Sequence, residues 1–265
     1  MFPLFTSTLP KNAPELERLL NESVRRLFTG VDQPVSVHDK SYPQLTSIAI
    51  SLDRAQLRSD PPKAPAGIKK GSPAFEVEQL KLSGDDVSAG PAALSLRLDA
   101  RGVQLHQAKD ASGDIVLLLQ RADEGEVEVS ADKGEIENAI AAVAATEAGK
   151  HGVTVDQVRL SLQVRGERSV DAEVQLRARK LFFSTVVRIG GKLDLDEQLN
   201  ARLTGLVCNG DGAIGALACG ALQPHLQKLN GRSFSLMALP LGEIRLRDVR
   251  LAAGNEISVR AVFGC

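Results

Sequence analysis

Val153-Thr-Val155-Asp-Gln-Val158-Arg-Leu160-Ser-Leu162-Gln-Val164 alternates apolar with polar side chains almost without a break. Successive side chains of a strand point to opposite faces of its sheet, so this stretch reads as a ribbon that is greasy on one side and wet on the other. The same alternation recurs on both sides of it. Downstream strands are expected at Val170–Arg179, Leu181–Ile189, Lys192–Val207, Phe234–Leu251 and Glu256–Phe263. Upstream they are expected around Val35–Val37, Leu45–Leu57, Phe75–Leu82, Ala92–His106 and Asp114–Arg121, with a short one at Val127–Val129. Short polar turns, not helices, join most neighbours, which favours antiparallel meanders over a parallel α/β sheet.

Three helical stretches interrupt the ribbons. Asn12-Ala-Pro14-Glu15 carries an Asn cap, a first-turn proline and a glutamate at the capping-box position. Leu16, Leu19, Leu20, Val24, Leu27 and Phe28 follow on one stripe, and Thr29-Gly30 ends it. Asp132 caps a second helix whose body, Ile136–Ala148, is rich in alanine; Ile136, Ala139, Ile140, Val143 and Ala144 share a face, and Gly149 stops it. A third helix is expected from about Ala213 to Leu229, with a kink or break at Pro224. Ser59–Pro73, with four prolines and two glycines, reads as a mobile loop. The order helix–strands–helix–strands suggests a pseudo-repeat of 12–130 and 131–265 within one domain spanning 1–265.

Composition narrows the function. The net charge is −1 with both signs interspersed, and aromatic residues make up only 3% of the chain. A polyanion-binding surface and base-stacking platforms are therefore not expected, and no nucleic-acid partner is. His38, His106, His151 and His225 have no partners at metal-ligand spacing, and there is no GxSxG elbow, so no catalytic residue, metal or cofactor is expected. The acidic groups Asp85-Asp86, Asp123-Glu124-Gly-Glu126 and Asp194-Leu-Asp196-Glu197 read as solvated turns and strand faces.

Gly210-Asp-Gly212-Ala-Ile-Gly215 matches the GxGxxG pattern of dinucleotide sites and opens a helix. The strand before it alternates, however, where a Rossmann strand is apolar on both faces. A strand-to-helix turn is the better reading. Arg177, Arg179, Lys180, Arg188 and Lys192, then Arg245, Arg247 and Arg250, form basic rows that either meet anionic headgroups or simply solvate strand faces. Of three cysteines, Cys208 and Cys219 are close enough in sequence to bridge or to stay as buried thiols, and Cys265 reads as an exposed thiol. The odd, low count fits a reduced compartment. No run approaches a membrane span, and Met1–Leu9 lacks a basic start and an apolar run. The chain as written is expected to be cytoplasmic or peripheral to the inner membrane.

Glu15-Leu-Glu-Arg-Leu-Leu-Asn-Glu-Ser-Val-Arg-Arg-Leu-Phe28 and Glu128-Val-Ser-Ala-Asp-Lys-Gly-Glu-Ile-Glu-Asn-Ala-Ile140, the latter leading into Gly152-Val-Thr-Val155, belong to one wider pattern. Leu239-Pro-Leu-Gly-Glu-Ile-Arg-Leu-Arg-Asp-Val-Arg-Leu-Ala-Ala-Gly-Asn-Glu-Ile-Ser-Val259 completes it. Together they resemble the bacterial LmeA-like proteins, which look like members of the tubular lipid-binding superfamily. The resemblance implies an α+β fold: a long, highly curved antiparallel β-sheet wrapped around two or three helices and enclosing an apolar groove. It implies non-enzymatic binding or transfer of a phospholipid or other fatty-acyl ligand, with transient membrane-surface contact. On this reading the groove is lined by Leu20, Val24, Leu27 and Phe28 of the first helix and by Ile136, Ile140, Val143 and Ala144 of the second. Val158, Leu160, Leu162 and Phe182 of the strands, with Leu217 and Leu222 of the third helix, complete it. The alternative is a β-rich scaffold or adaptor whose core is filled and holds no ligand.

Overall fold

The computed structural model describes residues 2–62, 65, 68, 71–150, 152–180, 183–197, 200–235 and 245–265. The fold is α+β, with antiparallel-rich sheets and three helices among the described residues. The chain begins with β1 (Phe2–Pro3) and α1 (Ala13–Leu27), then β2 (Phe28–Thr29), β3 (Val35–Ser41), β4 (Gln44–Ser51) and β5 (Gln56–Leu57). Two long strands follow, β6 (Ser72–Ala89) and β7 (Ala92–Lys109), then β8 (Ile115–Arg121) and β9 (Glu124–Asp132). After α2 (Lys133–Gly149) come β10 (Thr154–Gly166), β11 (Ser169–Lys180), β12 (Phe183–Leu195) and β13 (Asn200–Gly210). The chain ends with α3 (Gly212–Leu229), β14 (Ser233–Ser235), β15 (Arg245–Ala253) and β16 (Glu256–Gly264).

The strands make two sheets where one long sheet was expected. The first runs β15-β16-β9-β7-β6-β4-β3, with β1, β2, β5 and β8 at its margins; the second is the meander β10-β11-β12-β13-β14. Neither is closed or strongly curled. The split has a local cause. β9 hands over directly to α2, whose Asp132 cap accepts from the Gly134 and Glu135 amides. A helix carboxylate then occupies the edge of the next strand: Glu137 Oε1 accepts from the Leu160 amide of β10 at 2.7 Å. The ladder cannot continue across a donor already taken. Pairing is antiparallel except where β6 meets β4 and β5 in parallel, beyond the loop that separates them.

The α1 cap forms as its sequence predicts. Asn12 Oδ1 accepts from the Glu15 amide at 2.9 Å and Glu15 reaches back to the Lys11 amide at 2.8 Å. Leu16, Leu19, Leu20 and Val24 are buried against β3, β4, β6 and β7. The polar side of α1 protects the edge strand. Asn21 exchanges two hydrogen bonds with Val35, and Glu17 accepts from the Val37 amide. An open edge would template pairing with another chain; here side chains fill it. Asn21 is thus buried within the fold.

One device keeps this core apolar along strands too long and twisted for simple alternation. Leu45, Val77 and Val103 are register partners across three strands, and so are Ile48, Leu80 and Ala100. All six are buried in one cluster, yet in each strand the two levels are three residues apart instead of two or four. Each strand takes one extra residue at the same height, as in a β-bulge. In β7 that place holds Gly102 at φ 57°, where an added Cβ would lie 2.1 Å from Asp123 Oδ2.

The second sheet corrects a strand boundary. The break expected at Gly190-Gly191 is absent; β12 runs through both glycines to Leu195 and the chain reverses between Asp196 and Asn200. Gly191 is needed for room, since a Cβ there would sit 2.6 Å from Leu206 Cδ2. The break expected at Pro224 is also absent, and α3 runs unbroken through it. Pro224 and Gly220, which lies one turn before it, are both exposed. Water can therefore serve the carbonyl that the proline leaves without a donor. The residues between β14 and β15, within the strand expected at 234–251, lie outside the described residues, as does part of the 59–73 loop.

The two sheets meet at one corner. Leu195 and Ala201 of the second pack on Val249 and Ala261 of the first. The β10–β11 turn docks there too: the Leu251 amide donates to Glu167 O, and Arg168 pairs with Asp248 at 2.6 Å. Hydrogen bonds from Arg168 and then Arg250 hold the Asp248 carboxyl at about 2, below its ordinary range. A carboxylate depressed in the folded state stabilises it above the unfolded pKa of about 3.9, and that contribution disappears as pH falls through the folded value. Chemical denaturation between pH 5 and 2 should therefore show a stability loss that Asp248→Asn removes. An unchanged slope in the variant would show that this corner carries no pH-dependent stability.

Candidate functional site

The second sheet has one polar and one apolar face, set by register. Val158, Leu176 and Val187 lie across from one another; so do Leu160, Val174, Ile189 and Cys208. The row on the opposite face is Arg159, Gln175, Arg188 and Asn209. Two helices lie on this sheet. α2 packs along β10, where Val158 and Leu160 are buried while Gln157, Arg159 and Ser161 are exposed. α3 packs along β13 and β12. The main neighbours of β11, in the middle, are strands: β10, β12 and β15. Its apolar row Ala172, Val174, Leu176 and Ala178 is only half-buried, as are Leu162, Ile189 and Leu206 beside it.

α3 is fixed by close approach and by a covalent link. A Cβ on Gly210 would lie 2.2 Å from the Gly215 backbone, and one on Gly215 would lie 2.6 Å from Gly210 and 2.7 Å from Thr185 Oγ1. Thr185 Oγ1 donates to Asp211 O, and Arg188 forks onto both oxygens of the Asp211 carboxylate. Cys208 and Cys219 form a disulfide, resolving the choice that their spacing left open. The GxGxxG glycines are thereby accounted for by helix-on-strand packing in an antiparallel sheet, not by a Rossmann unit. Cys265 is free and exposed.

Neither helix is covered in the way its composition leads one to expect. An apolar helix is normally buried on all sides. Among the described side chains of α2 none is buried: Ile136, Ala139, Ile140 and Ala144 are half-buried and Val143 is 59% exposed. α3 carries no charge from Gly212 to Gln227, yet Ile214 and Leu217 face solvent, Leu217 at 75% exposure. The first sheet shows the same lack of cover beside α2. Leu96, Val129, Val259 and Leu251 form a register row in which Val129 and Val259 are exposed and the outer two half-buried.

The expected lining residues therefore separate. Leu20 and Val24 lie in the filled core under α1, with Phe28 packed against its margin and Leu27 half-buried nearby. Val158 and Leu160 are buried beneath α2. Ile136, Ile140, Val143, Ala144, Leu162, Leu217 and Leu222 belong to the half-covered surface, and Phe182 lies outside the described residues. Sequence reasoning missed Leu96, Val129, Leu251, Val259, Val174, Leu176, Ile189 and the 63%-exposed Phe183. Their alternation was visible; which alternating face lacks a lid was not.

The polar surroundings are mostly self-paired. Arg179 meets Asp156, Lys192 meets Asp194, and Arg250 meets Asp248 and Glu167. Its hydrogen bond to Asp211 raises the pKa of Arg188, and the Ser169 hydroxyl and Lys192 lower that of Asp194. Glu124 and Glu126 pair with Arg101 and Arg260. Arg177 has no carboxylate partner among the described residues, and the side chains of Lys180 and Arg245 lie outside them. No group of three or more potential metal ligands occurs among the described residues, and no described helix is long and apolar enough to cross a membrane. His106 borders an open depression of about 550 Å³ with Tyr42 and Phe75. There the Tyr42 hydroxyl donates to Pro10 O and burial pushes its pKa up to about 12.

The hook from α2 to β10 sets one wall of the half-covered face and can be tested directly. Glu137→Ala leaves the Leu160 amide without its acceptor, at an expected cost of about 1–2 kcal/mol. Hydrogen exchange should accelerate at Leu160 and its β10 neighbours while β3 is unaffected; unchanged protection in β10 would deny the hook its role.

No family model, curated protein or solved structure matches the chain.

Proposed function

We propose that this protein is a non-enzymatic lipid binder that holds a phospholipid or other acyl chain along its half-covered apolar surface. The observation that supports this most is that apolar rows are left half-covered on both sheets. They are Leu96, Val129 and Val259 on the first, beside α2, and Val174, Leu176 and Ile189 on the second, whose flanking strands carry α2 and α3 with their uncharged, alanine-bearing stretches. On this reading α2 and α3 are the walls of a groove, the apolar strand faces are its floor, and an acyl chain is its missing layer. The resemblance to the LmeA-like, tubular lipid-binding pattern supports the same reading from the sequence side.

The energetics are favourable. Water contact with apolar area is costly, and each methylene buried is worth about 0.8 kcal/mol. A sixteen-carbon chain would contribute roughly 10 kcal/mol before its ordering cost is subtracted. That is comparable with the entire stability of a domain, so bound lipid would also stabilise the fold. Nothing in the scheme requires a bond to be made or broken.

The core under α1 supports the scaffold alternative for the first half of the chain, because Leu16, Leu20 and Val24 and the strand side chains packed with them are buried together. Both readings are separated by one measurement. Protein purified without detergent is analysed by native mass spectrometry and by solvent extraction. The lipid reading expects a co-purifying acyl lipid, displaced when Leu176→Glu places a charge on the floor of the groove. Lipid-free protein with a melting temperature unmoved by added phospholipid would leave the scaffold.

A further inference from the structure

α3 is apolar on two opposite sides, and the sheet covers one of them. Gly215, Cys219 and Leu226 follow one another at helical spacing and are buried where the helix packs on β13 and β12. Ala213, Leu217, Gly220 and Pro224 are offset from them by about half a turn, and all four are exposed, with Ile214 beside them. Leu217, at 75%, is the most exposed large apolar side chain among the described residues. No Asp, Glu, Lys or Arg occurs from Gly212 to Gln227. A helix apolar on every side is normally buried on every side.

Gly220 is the unexplained residue of this outward face. Gly215, on the covered side, is required by its close approach to Gly210 and Thr185. Gly220 has no such contact: an added Cβ would meet nothing within 4 Å, and its backbone is not in the left-handed region. Glycine inside a helix is less favourable than alanine, so nothing within the chain accounts for it. What an exposed helical glycine does provide is a hollow that another surface can approach closely.

The hollow and the Leu217 knob lie one turn apart on the same stripe, and each fits the other. Contacts across a two-fold axis are made twice, residue i on j and j on i. An antiparallel pair of α3 helices, centred between the two residues, seats Leu217 of each copy over Gly220 of the other. The same pairing brings Lys228, in the last turn of one helix, toward the first turn of its mate. There the Asp211 carboxylate, held by Arg188, is still 58% exposed. Lys228 has no carboxylate partner of its own among the described residues. Between these ends the stripe holds no charge for a two-fold axis to set against its like.

From this fit we infer that the outward face of α3 is where two copies of the chain pair, as a reversible antiparallel helix dimer with each Leu217 seated over Gly220 of the other copy. The inference does not rest on the lipid reading, because this face is the side of α3 turned away from the sheet. One pair of helices offers less surface than the roughly 1,200 Å² that stable interfaces bury. The dimer therefore forms at high concentration, and dilute denaturation samples hold the monomer.

Sedimentation velocity over a dilution series tests it. The wild-type chain should pass from monomer to dimer as its concentration rises. Gly220→Leu fills the hollow and Leu217→Gly removes the knob, and each alone should weaken the dimer by about tenfold or more. The double variant, Leu217→Gly with Gly220→Leu, exchanges knob and hollow and should recover the pairing, which a mere change in surface apolarity would not do. Gly220→Ala separates the interface from the fold: it should raise the melting temperature of the dilute monomer, since alanine is the better helix former, and still weaken the dimer. Wild-type protein that remains monomeric at its highest soluble concentration would overturn the inference, as would a Gly220→Leu dimer as tight as wild type. A chain that stays monomeric yet floats with vesicles of phosphatidylglycerol and phosphatidylcholine, and stops doing so with Leu217→Gly, would also overturn it, because the face would then belong to a membrane.

Discussion

Leu16→Ala is expected to destabilise the protein by about 3–4 kcal/mol, the largest loss from any single truncation in α1. Leu16 is fully buried, at the centre of the cluster that unites α1 with β3, β4, β6 and β7. Removing its side chain forfeits the transfer free energy and leaves a cavity whose walls are held by two long, bulged strands. Those strands cannot collapse inward without breaking the shared phase slip at Leu45–Ile48, Val77–Leu80 and Ala100–Val103. The same chemical deletion at Leu217, 75% exposed, should cost no more than about 0.5 kcal/mol. Urea denaturation of the two variants side by side makes the comparison. Equal losses would mean that Leu217 is packed in solution and that the surface around it is covered.

Gly215→Val should be as damaging, by overcrowding instead of by a void. The contact it would violate is backbone on backbone, between Gly215 and Gly210, so no flexible side chain can yield. Overpacking costs up to about 3 kcal/mol where neighbours can shift, and here the neighbours are the end of one sheet strand and the first turn of α3. The expected result is an α3 lifted from β13. It would be read as limited proteolysis within α3 and as reactive thiols in addition to Cys265, because Cys208 and Cys219 would no longer be brought together. Gly212→Ala is the control: nothing lies within 4 Å of an added Cβ there, and strain at its φ of 68° is all that such a change would add. A Gly215→Val protein with one reactive thiol and an uncut α3 would show that the crossing is looser than its glycines imply.

What could be read in the sequence was local. The α1 cap, its buried stripe, the Asp132 cap and the alternation of β10 depend on neighbours a few residues away, and all appear in the structure with boundaries close to those expected. What could not be read was long-range. The pairing of β16 with β9 joins Glu256 to Asp132, and no local pattern specifies it. The division into two sheets follows from that pairing and from Glu137 at the β10 edge, a side-chain contact between an ordinary helix glutamate and a strand amide. Gly190-Gly191 reads as a turn and is instead a thin place within a strand, because the bulky Leu206 lies beside it. The same limit applies to the candidate site. The stripes of α1 and α2 look alike in apolar content, yet Leu20 and Val24 lie in a filled core and Val143 lies in the open. Only the surrounding topology decides which stripe is covered.

The placement of β16 bears on how the first sheet is held together. The strand lies between β9 and β15, and its Phe263 fills the space above Gly125. Peeled away from β9, it would leave an open ladder beside a vacant apolar slot, the combination that invites strand exchange with a neighbouring molecule. Fraying of this seam is therefore the partial opening from which strand-exchanged self-association would begin.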